Sequence, residues 1–148
     1  MQRKLLVTLF AVLLFLIVVS FLLLQGDRGQ RSAIDYAPVA TLQVLDEKNK
    51  QPNYTIHIEY PMLSNVPSPS SQEKINTAIK TFVKDTADAF KNEISENNQR
   101  GNFPSILTMQ YSVDKLTKGQ FVVTFTIADF PSGVKQPKKR TKTLSFDL

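Results

Sequence analysis

Few side chains in this sequence are suited to acid–base or nucleophilic chemistry. The chain has one histidine, His57, and no cysteine, so it contains neither a thiol nucleophile nor a thiolate metal ligand. No Ser-His-Asp set can be assembled around His57, and one histidine without cysteine does not make a zinc site. We therefore expect no metal, no cofactor and no catalytic residue. We expect His57 to be a solvated or cross-strand residue.

The acidic residues do not suggest catalysis either. A pair of carboxylates can hydrolyse glycosidic bonds, but the 13 acids lie in predicted turns, linkers and the outer face of a predicted helix. Glu59 is the one acid inside a clearly patterned strand. The sequence also lacks a glycine-rich phosphate loop. These observations predict that this chain alone is not an enzyme.

A cluster of cations near the C-terminus is the sharpest remaining feature. It lies in a predicted loop, Asp129–Lys142, which Pro131 and Pro137 stiffen. Such a cluster suits contact with an anionic surface, either lipid headgroups or wall polymers. The alternative is a solvated loop that only connects two strands. The cations are Lys135, Lys138, Lys139, Arg140 and Lys142.

Several aromatic residues share the apolar faces of predicted strands. One interpretation is a glycan-binding face. The favoured interpretation is core packing beneath a helix, because aromatic residues on one strand face most often pack internally. The residues are Tyr54, Tyr60, Tyr111, Phe121 and Phe125.

An apolar segment near the N-terminus, Leu5–Leu24, has the length of a membrane span. It holds 20 residues without a charge. As a helix it would cover roughly 30 Å, the thickness of the bilayer hydrocarbon. Arg3 and Lys4 precede it, which favours a cytoplasmic N-terminus. We expect a retained anchor in the lipid bilayer. A cleaved signal peptide is the alternative, and it would also export the remaining chain.

The charge balance of the exported part argues against nucleic acid as a partner. Formal net charge is +5, but two of the 18 cations precede the anchor and all 13 acids follow it. Nucleic-acid-binding domains concentrate many more cations on one face. We divide the chain into a cytoplasmic N-terminus (1–4), the anchor (5–24), a juxtamembrane linker (25–40) and one extracellular domain (41–148). The chain stops inside a predicted strand, so C-terminal truncation is left open.

Alternation of apolar and polar residues predicts five strands. Asp46–Asn53 is predicted as a turn from its composition, and Pro61 is expected to end the second strand. The third and fourth strands are expected to form an antiparallel hairpin around Asp114–Gly119, where Gly119 is free to adopt positive φ. The predicted strands are Thr41–Leu45, Tyr54–Tyr60, Ile106–Val113, Phe121–Ala128 and Thr143–Leu148.

One long amphipathic helix is predicted between the second and third strands. Ser70 and Glu73 form a capping box at its start, and Asn97 to Gly101 finish it. A helix with one apolar face needs a sheet with one apolar face. We therefore expect an α+β fold with a four- or five-stranded antiparallel sheet in a cystatin-like arrangement. The apolar face comprises Ile75, Ala78, Ile79, Phe82, Val83, Ala87, Phe90 and Ile94.

Two stretches carry a resemblance to a known kind of module. The first contains Tyr60-Pro61, Ser64-Asn65, Ile75-Asn76 and Ile79. The second is Gln120–Leu148, ending in Leu-Ser-Phe-Asp-Leu. Together they resemble the non-catalytic extracellular module of membrane-anchored Gram-positive peptidoglycan or polysaccharide deacetylases. A similar module is found in lysozyme-sensing anti-sigma factors. The resemblance covers Tyr54 to the end of the chain.

The departures limit what this resemblance implies. Members often carry a Gly-Gly-Ala-His-like turn, where this chain has Pro131 to Val134 without a histidine. The zinc-dependent catalytic domain is not in this sequence, and four cytoplasmic residues are too few to hold a sigma factor. The resemblance implies a membrane-anchored binding or positioning module at the cell wall, whose partner is a wall polymer or a wall-active protein. The alternatives are a fragment or subunit of an active deacetylase and a structural subunit of an envelope complex.

Overall fold

The computed structural model describes residues 37–96, 103–133 and 135–148. The predicted anchor Leu5–Leu24 and most of the linker lie outside the described residues. The described elements are five strands and a helix: β1 (Val39–Lys50), β2 (Asn53–Ser64), α1 (Pro69–Glu96), β3 (Ser105–Leu116), β4 (Gln120–Phe130) and β5 (Lys138–Asp147). Among these residues, no helix combines the length and the apolarity needed to cross a membrane.

The α+β class is confirmed. The sheet was predicted to be antiparallel, but it is mixed. Its strands follow the order β1-β2-β3-β4-β5. Three of the four pairings are antiparallel, whereas β2 and β3 run parallel from Tyr54 beside Ser105 to Ile58 beside Met109. The cause is the helix, which crosses the sheet and returns the chain to the end at which β2 began.

The first two strands are longer than the sequence predicted. Asp46–Asn53 was expected to be a turn, but β1 continues to Lys50 and only Gln51 and Pro52 separate it from β2. An edge strand tolerates this charged, polar segment because solvent covers one side of it. Pro61 does not end β2, which runs to Ser64. β2 pairs with β3 only as far as Ile58. Proline has no amide hydrogen, but at Pro61 this costs no hydrogen bond to β3.

The predicted hairpin of β3 and β4 is confirmed, with a shorter turn. β3 runs to Leu116, and a register shift between Val113 and Lys115 absorbs Asp114 as a bulge. Gly119 does not adopt positive φ as expected. Among the described residues, positive φ belongs to Asn65 at 59° and Gly133 at 86°.

The helix begins one residue after Ser68, not at the predicted capping box. Pro69 is the first helical residue, a position where a missing amide is harmless. The Ser68 hydroxyl accepts a hydrogen bond from the Ser71 amide at 3.3 Å, so Ser68 is the N-cap, not Ser70. The predicted end of the helix, at Asn97 to Gly101, lies outside the described residues.

The helix buries the face that its periodicity predicted, with two changes. Ala78 is exposed. Thr86 is buried, and its hydroxyl is satisfied by donating to the Phe82 carbonyl at 2.8 Å. The Phe82 ring packs on Phe125 of β4 with centroids 5.1 Å apart. The core therefore lies between α1 and one face of the sheet. Its fully buried members include Ile56, Ile58, Ile79, Leu107, Met109, Phe121, Val123 and Phe125.

Candidate functional site

The cationic cluster lies mostly on a strand, not in the predicted loop. β4 continues to Phe130 and β5 begins at Lys138, so the loop between them is much shorter than Asp129–Lys142. Four of the five candidate cations belong to β5, the outermost strand of the sheet, and only Lys135 lies in the loop. Lysine and arginine suit an edge strand because they keep other chains from pairing with it. The sequence pattern missed this because a charged segment without apolar alternation does not look like a strand.

Strand pairing divides these cations between the two faces of the sheet. Lys138, Arg140 and Lys142 lie opposite Asp129, Ile127 and Phe125 of β4, which face the helix. Lys139 lies opposite Ala128 and faces the other side. Residues two apart on one face are separated by about 6.8 Å. The exposed edge therefore carries a row of cations on its helix side and a single lysine on its outer side.

Two ion pairs hold β5 in place on its helix side. The Lys138 ammonium lies 2.7 Å from a Glu93 carboxylate oxygen on α1, and this bond raises the pKa of Lys138 above its usual value. Arg140 Nη1 donates to Asp129 Oδ2 of β4 at 3.1 Å. The Asp129 side chain is only 4% exposed, whereas that of Arg140 is 52% exposed. Arg140 therefore supplies the counter-charge of a buried carboxylate.

The turn that leads into β5 is anchored on a buried hydroxyl. Ser105 is fully buried at the start of β3, and its Oγ accepts a hydrogen bond from the Ser132 amide at 2.9 Å. Beside this turn, Asp129 Oδ1 and Ser132 Oγ are buried without a hydrogen-bond partner in the described part of the chain. Gly133 then turns the chain with positive φ. The start of β5 is thus positioned by polar contacts.

Three of the candidate cations have no carboxylate partner within the described ranges: Lys135, Lys139 and Lys142. All three are exposed. A paired cation has already met its counter-charge, so an external anion gains most from the unpaired ones. Lys139 and Lys142 lie on the same rigid strand but on opposite faces. An anionic chain that lies along the β5 edge can contact both.

The aromatic residues form core and not a glycan-binding face, as favoured from the sequence. Tyr54, Phe121 and Phe125 are buried under the helix, and Tyr60 and Tyr111 pack against the same core. Burial raises the pKa of Tyr111. The Tyr54 hydroxyl donates to Glu47 of β1, which raises the pKa of Tyr54 to about 12.

His57 is a cross-strand residue, as predicted. It lies opposite Asp46 on the sheet face away from the helix, with Nδ1 2.6 Å from Asp46 Oδ1. Its Nε2 lies 3.5 Å from a Glu59 oxygen. The Asp46 bond, supported by Glu59, raises the pKa of His57. Despite this arrangement, the described residues contain no group of three His, Asp or Glu side chains placed to hold a metal ion.

A groove of about 360 Å³ lies between β1 and α1. Its apolar floor consists of Leu45, Tyr60, Val83 and Ala87. Five charged groups line it. Four of them neutralise one another: Lys84 pairs with Asp88 at 2.5 Å, and Lys91 pairs with Glu47 at 2.6 Å, which leaves Lys80 as the one cation of this groove without an ion pair in the described part of the chain. The Lys91 bond is the main reason that the pKa of Glu47 lies below its usual value. The groove therefore offers an external anion less uncompensated charge than β5 does.

Sequence reasoning missed Asp129 and Glu93, the two carboxylates that hold β5. Asp129 did leave a signal, because it continues the phase of Phe121, Val123, Phe125 and Ile127 on the apolar face of β4. A carboxylate in that phase needs a cationic partner, and the next strand supplies one. Glu93 left no signal in the sequence, because its partner, Lys138, lies far from it along the chain.

No family model and no curated protein matches the sequence. Among solved structures, a DUF3298 family protein from Pseudomonas aeruginosa has a TM-score of 0.43 and 9% identity, covering 74% of this chain and 50% of that one. A member of the same family from Bacteroides fragilis has a TM-score of 0.37 and 11% identity, covering 75% and 57%. The chain thus spans about half the length of these structures, and likenesses this low do not bear on function.

Proposed function

We propose that this chain is a membrane-anchored extracellular module that binds and positions itself at the cell wall without catalysing a reaction. In this proposal Leu5–Leu24 holds the chain in the bilayer with its N-terminus inside the cell. The α+β domain then lies outside and meets an anionic wall polymer along the β5 edge. The resemblance to the non-catalytic module of peptidoglycan deacetylases supports this role.

The observation that carries the proposal is the cationic edge strand. Four of the five residues in Lys138–Lys142 are cations, and all of them are exposed. Lys139 and Lys142 have no carboxylate partner in the described part of the chain, and Lys135 in the preceding loop is likewise unpaired. A rigid strand places these charges at regular spacing. That arrangement suits a linear polyanion better than it suits a compact ligand.

The cystatin-like arrangement belongs to the same proposal. A long helix across one face of a sheet leaves the other face and both sheet edges open to solvent. In such an arrangement the helix and the buried core provide rigidity, and the edges are available for contact. The β5 edge would then bind while the anchor keeps the chain at the membrane.

Wall binding can be tested by co-sedimentation of the full-length chain, in mild detergent, with purified cell walls. We expect retention at low salt and release as salt is raised, because exposed charges are screened within about 10 Å at 0.1 M. Lys139→Glu with Lys142→Glu should reduce retention strongly. Walls stripped of their phosphate polymers should retain less of the unaltered chain if those polymers supply the anions.

The matched control is Lys48→Glu with Lys50→Glu on β1. These lysines are exposed at the opposite edge of the sheet, and the charge change is the same. Equal loss of retention in both double variants would mean that net charge, and not the β5 edge, governs binding. No retention at low salt would refute the proposal.

The non-catalytic part of the proposal has its own test. The alternative is that the chain is a fragment or subunit of an active deacetylase. Release of acetate from acetylated wall polymer by the purified chain would contradict our proposal. Since the chain has one histidine, His57→Gln would then show whether that residue takes part.

A further inference from the structure

The two edges of the sheet differ sharply in chemical character. β5 carries four cations near its start, which discourage pairing with another strand. The first half of β1, Val39–Leu45, has no charge and no proline. Three of its side chains are large, apolar and well exposed: Val39 at 42%, Leu42 at 54% and Val44 at 47%. A long exposed apolar edge is the kind of strand to which another strand adds.

The helix does not cover this edge. α1 packs mainly against β2 and to a small extent against β3. β1 is bonded to β2 on one side and has no neighbouring strand on the other among the described residues. Leu42 and Val44 are the two exposed apolar side chains nearest the middle of this half. They lie on the same side of the strand, opposite Pro61 and Glu59 of β2.

We propose that β1 pairs antiparallel with β1 of a second copy of this chain, with the two-fold axis at Gln43. Facing residues in an antiparallel pair lie on the same side of the sheet, so the axis must pass through a residue. With the axis at Gln43, Leu42 of each copy faces Val44 of the other. This places four apolar side chains together at the centre of the contact.

The charges of β1 agree with this register. Asp46 faces Ala40 and Glu47 faces Val39, so no like charges lie opposite each other. The cationic end, Lys48 and Lys50, extends beyond the paired segment. An axis at Asp46 would place that carboxylate against its own copy, and an axis at Lys48 would do the same for an ammonium. An axis at Leu42 also keeps the charges apart, but it pairs Val44 with Ala40 and joins only Val39–Leu45. The Gln43 register pairs the two most exposed apolar side chains of β1, Leu42 and Val44, with each other.

The absence of cysteine makes a specific cross-linking test available. In the Gln43→Cys variant, the two sulfur atoms meet at the axis, where the Cα atoms of an antiparallel pair lie about 4.5–5.5 Å apart, within disulfide range. Brief oxidation of the full-length chain in excess mild detergent should place most of it in a disulfide-linked dimer on a non-reducing gel.

Two single-cysteine variants serve as position controls. Lys48→Cys lies on the same strand, but in this register the two sulfur-bearing residues are about 34 Å apart. Thr143→Cys lies on the β5 edge. Neither should cross-link above background. Equal cross-linking at all three positions would point to association through another part of the chain, such as the N-terminal segment, and would overturn the proposal.

A side-chain substitution tests the contact itself. Val44→Lys in the Gln43→Cys background should abolish most of the cross-link, because it places an ammonium against Leu42 of the other copy. Val113→Lys, at a residue 39% exposed on β3, is the matched control and should leave the cross-link unchanged. Far-UV circular dichroism establishes that both variants fold. A Gln43→Cys chain that stays monomeric overturns the proposal, even if β1 accepts a strand of a different protein.

Discussion

The side-chain amide of Asn76 binds the main chain of Leu63 as a neighbouring strand would. The Leu63 amide donates to Asn76 Oδ1 at 2.8 Å, and Asn76 Nδ2 donates to the Leu63 carbonyl at 2.9 Å. Leu63 lies near the end of β2, past Ile58, where β3 no longer pairs with it. Asn76 therefore satisfies main-chain groups that the sheet leaves open, and it fixes the first turns of α1 to β2.

Replacement of Asn76 should reveal the strength of this contact. In Asn76→Leu both hydrogen bonds are lost and the Leu63 main-chain groups lose their partner, which should lower the free energy of unfolding by about 1–3 kcal/mol. The measurement is urea unfolding followed by circular dichroism. Asn92→Leu, an exposed position on the same helix, is the control and should change stability by less than about 0.5 kcal/mol. Equal effects in the two variants would contradict the bridging role.

The buried Asp129 carboxylate should make Arg140 more important for stability than the other cations of β5. Arg140→Leu leaves that carboxylate without its counter-charge and should cost about 1–3 kcal/mol in urea unfolding. Lys138→Leu removes an exposed pair and should cost less. Adding Asp129→Asn to Arg140→Leu should restore part of the loss, because the uncompensated charge is gone. No recovery in the double variant would argue against the pair as the cause.

The position of the helix cap distinguishes the structure from the sequence-based prediction. Ser68→Ala removes the hydroxyl that accepts from the Ser71 amide and should cost about 1 kcal/mol. Ser70→Ala lies within the first turn and should have a much smaller effect. Thermal or urea unfolding of the two variants measures these losses of stability. A larger loss of stability for Ser70→Ala would favour the capping box predicted from the sequence.

His57 should make stability depend on pH. Its folded-state pKa is raised from the ordinary 6.5, chiefly by the Asp46 bond, so protonation of the folded chain is favoured. The resulting stabilisation is fully present below the unfolded pKa and is lost as pH rises through the folded one. We expect the urea midpoint to fall as the pH rises from the ordinary pKa of 6.5 through the higher folded pKa, and the fall attributable to this group to vanish in His57→Gln.

Because the chain has a single histidine, the contribution of Asp46 to the pKa of His57 can be measured directly. NMR titration of its ring protons follows one signal set, and Asp46→Asn should return the pKa towards its ordinary value. Lys48→Gln, at a neighbouring position on β1, should shift it little. A pKa unchanged by Asp46→Asn would contradict the assigned cause.

Local periodicity predicted the elements whose pattern packing enforces. The helix face and the alternation of Tyr54, Ile56 and Ile58 were evident because a single buried face imposes a 3.6- or two-residue period. The edge strands were harder. Asp46 to Lys50 and Lys138 to Lys142 are charged, and composition favours turns there, yet both lie in strands because the neighbouring strand supplies the hydrogen bonds.

The arrangement of the candidate site depended on contacts between distant residues. Lys138 meets Glu93 and Arg140 meets Asp129 only once the helix and β4 are in place. The parallel pairing of β2 with β3 is likewise decided by where the helix returns the chain, and no local pattern encodes it. The sequence identified the five candidate cations. It did not show that those on β5 are divided between the two faces of the sheet, because that division follows from the register of β4 and β5.

The parallel contact between β2 and β3 also has a consequence for how this chain folds. β1 with β2, and β3 with β4 and β5, join strands that follow one another in sequence, so each group can form by closing short loops. Tyr54 and Ser105 can meet only by closing a loop that contains the whole of α1. Because contacts between distant residues form slowly, we expect the union of the two strand groups across the helix to limit the folding rate.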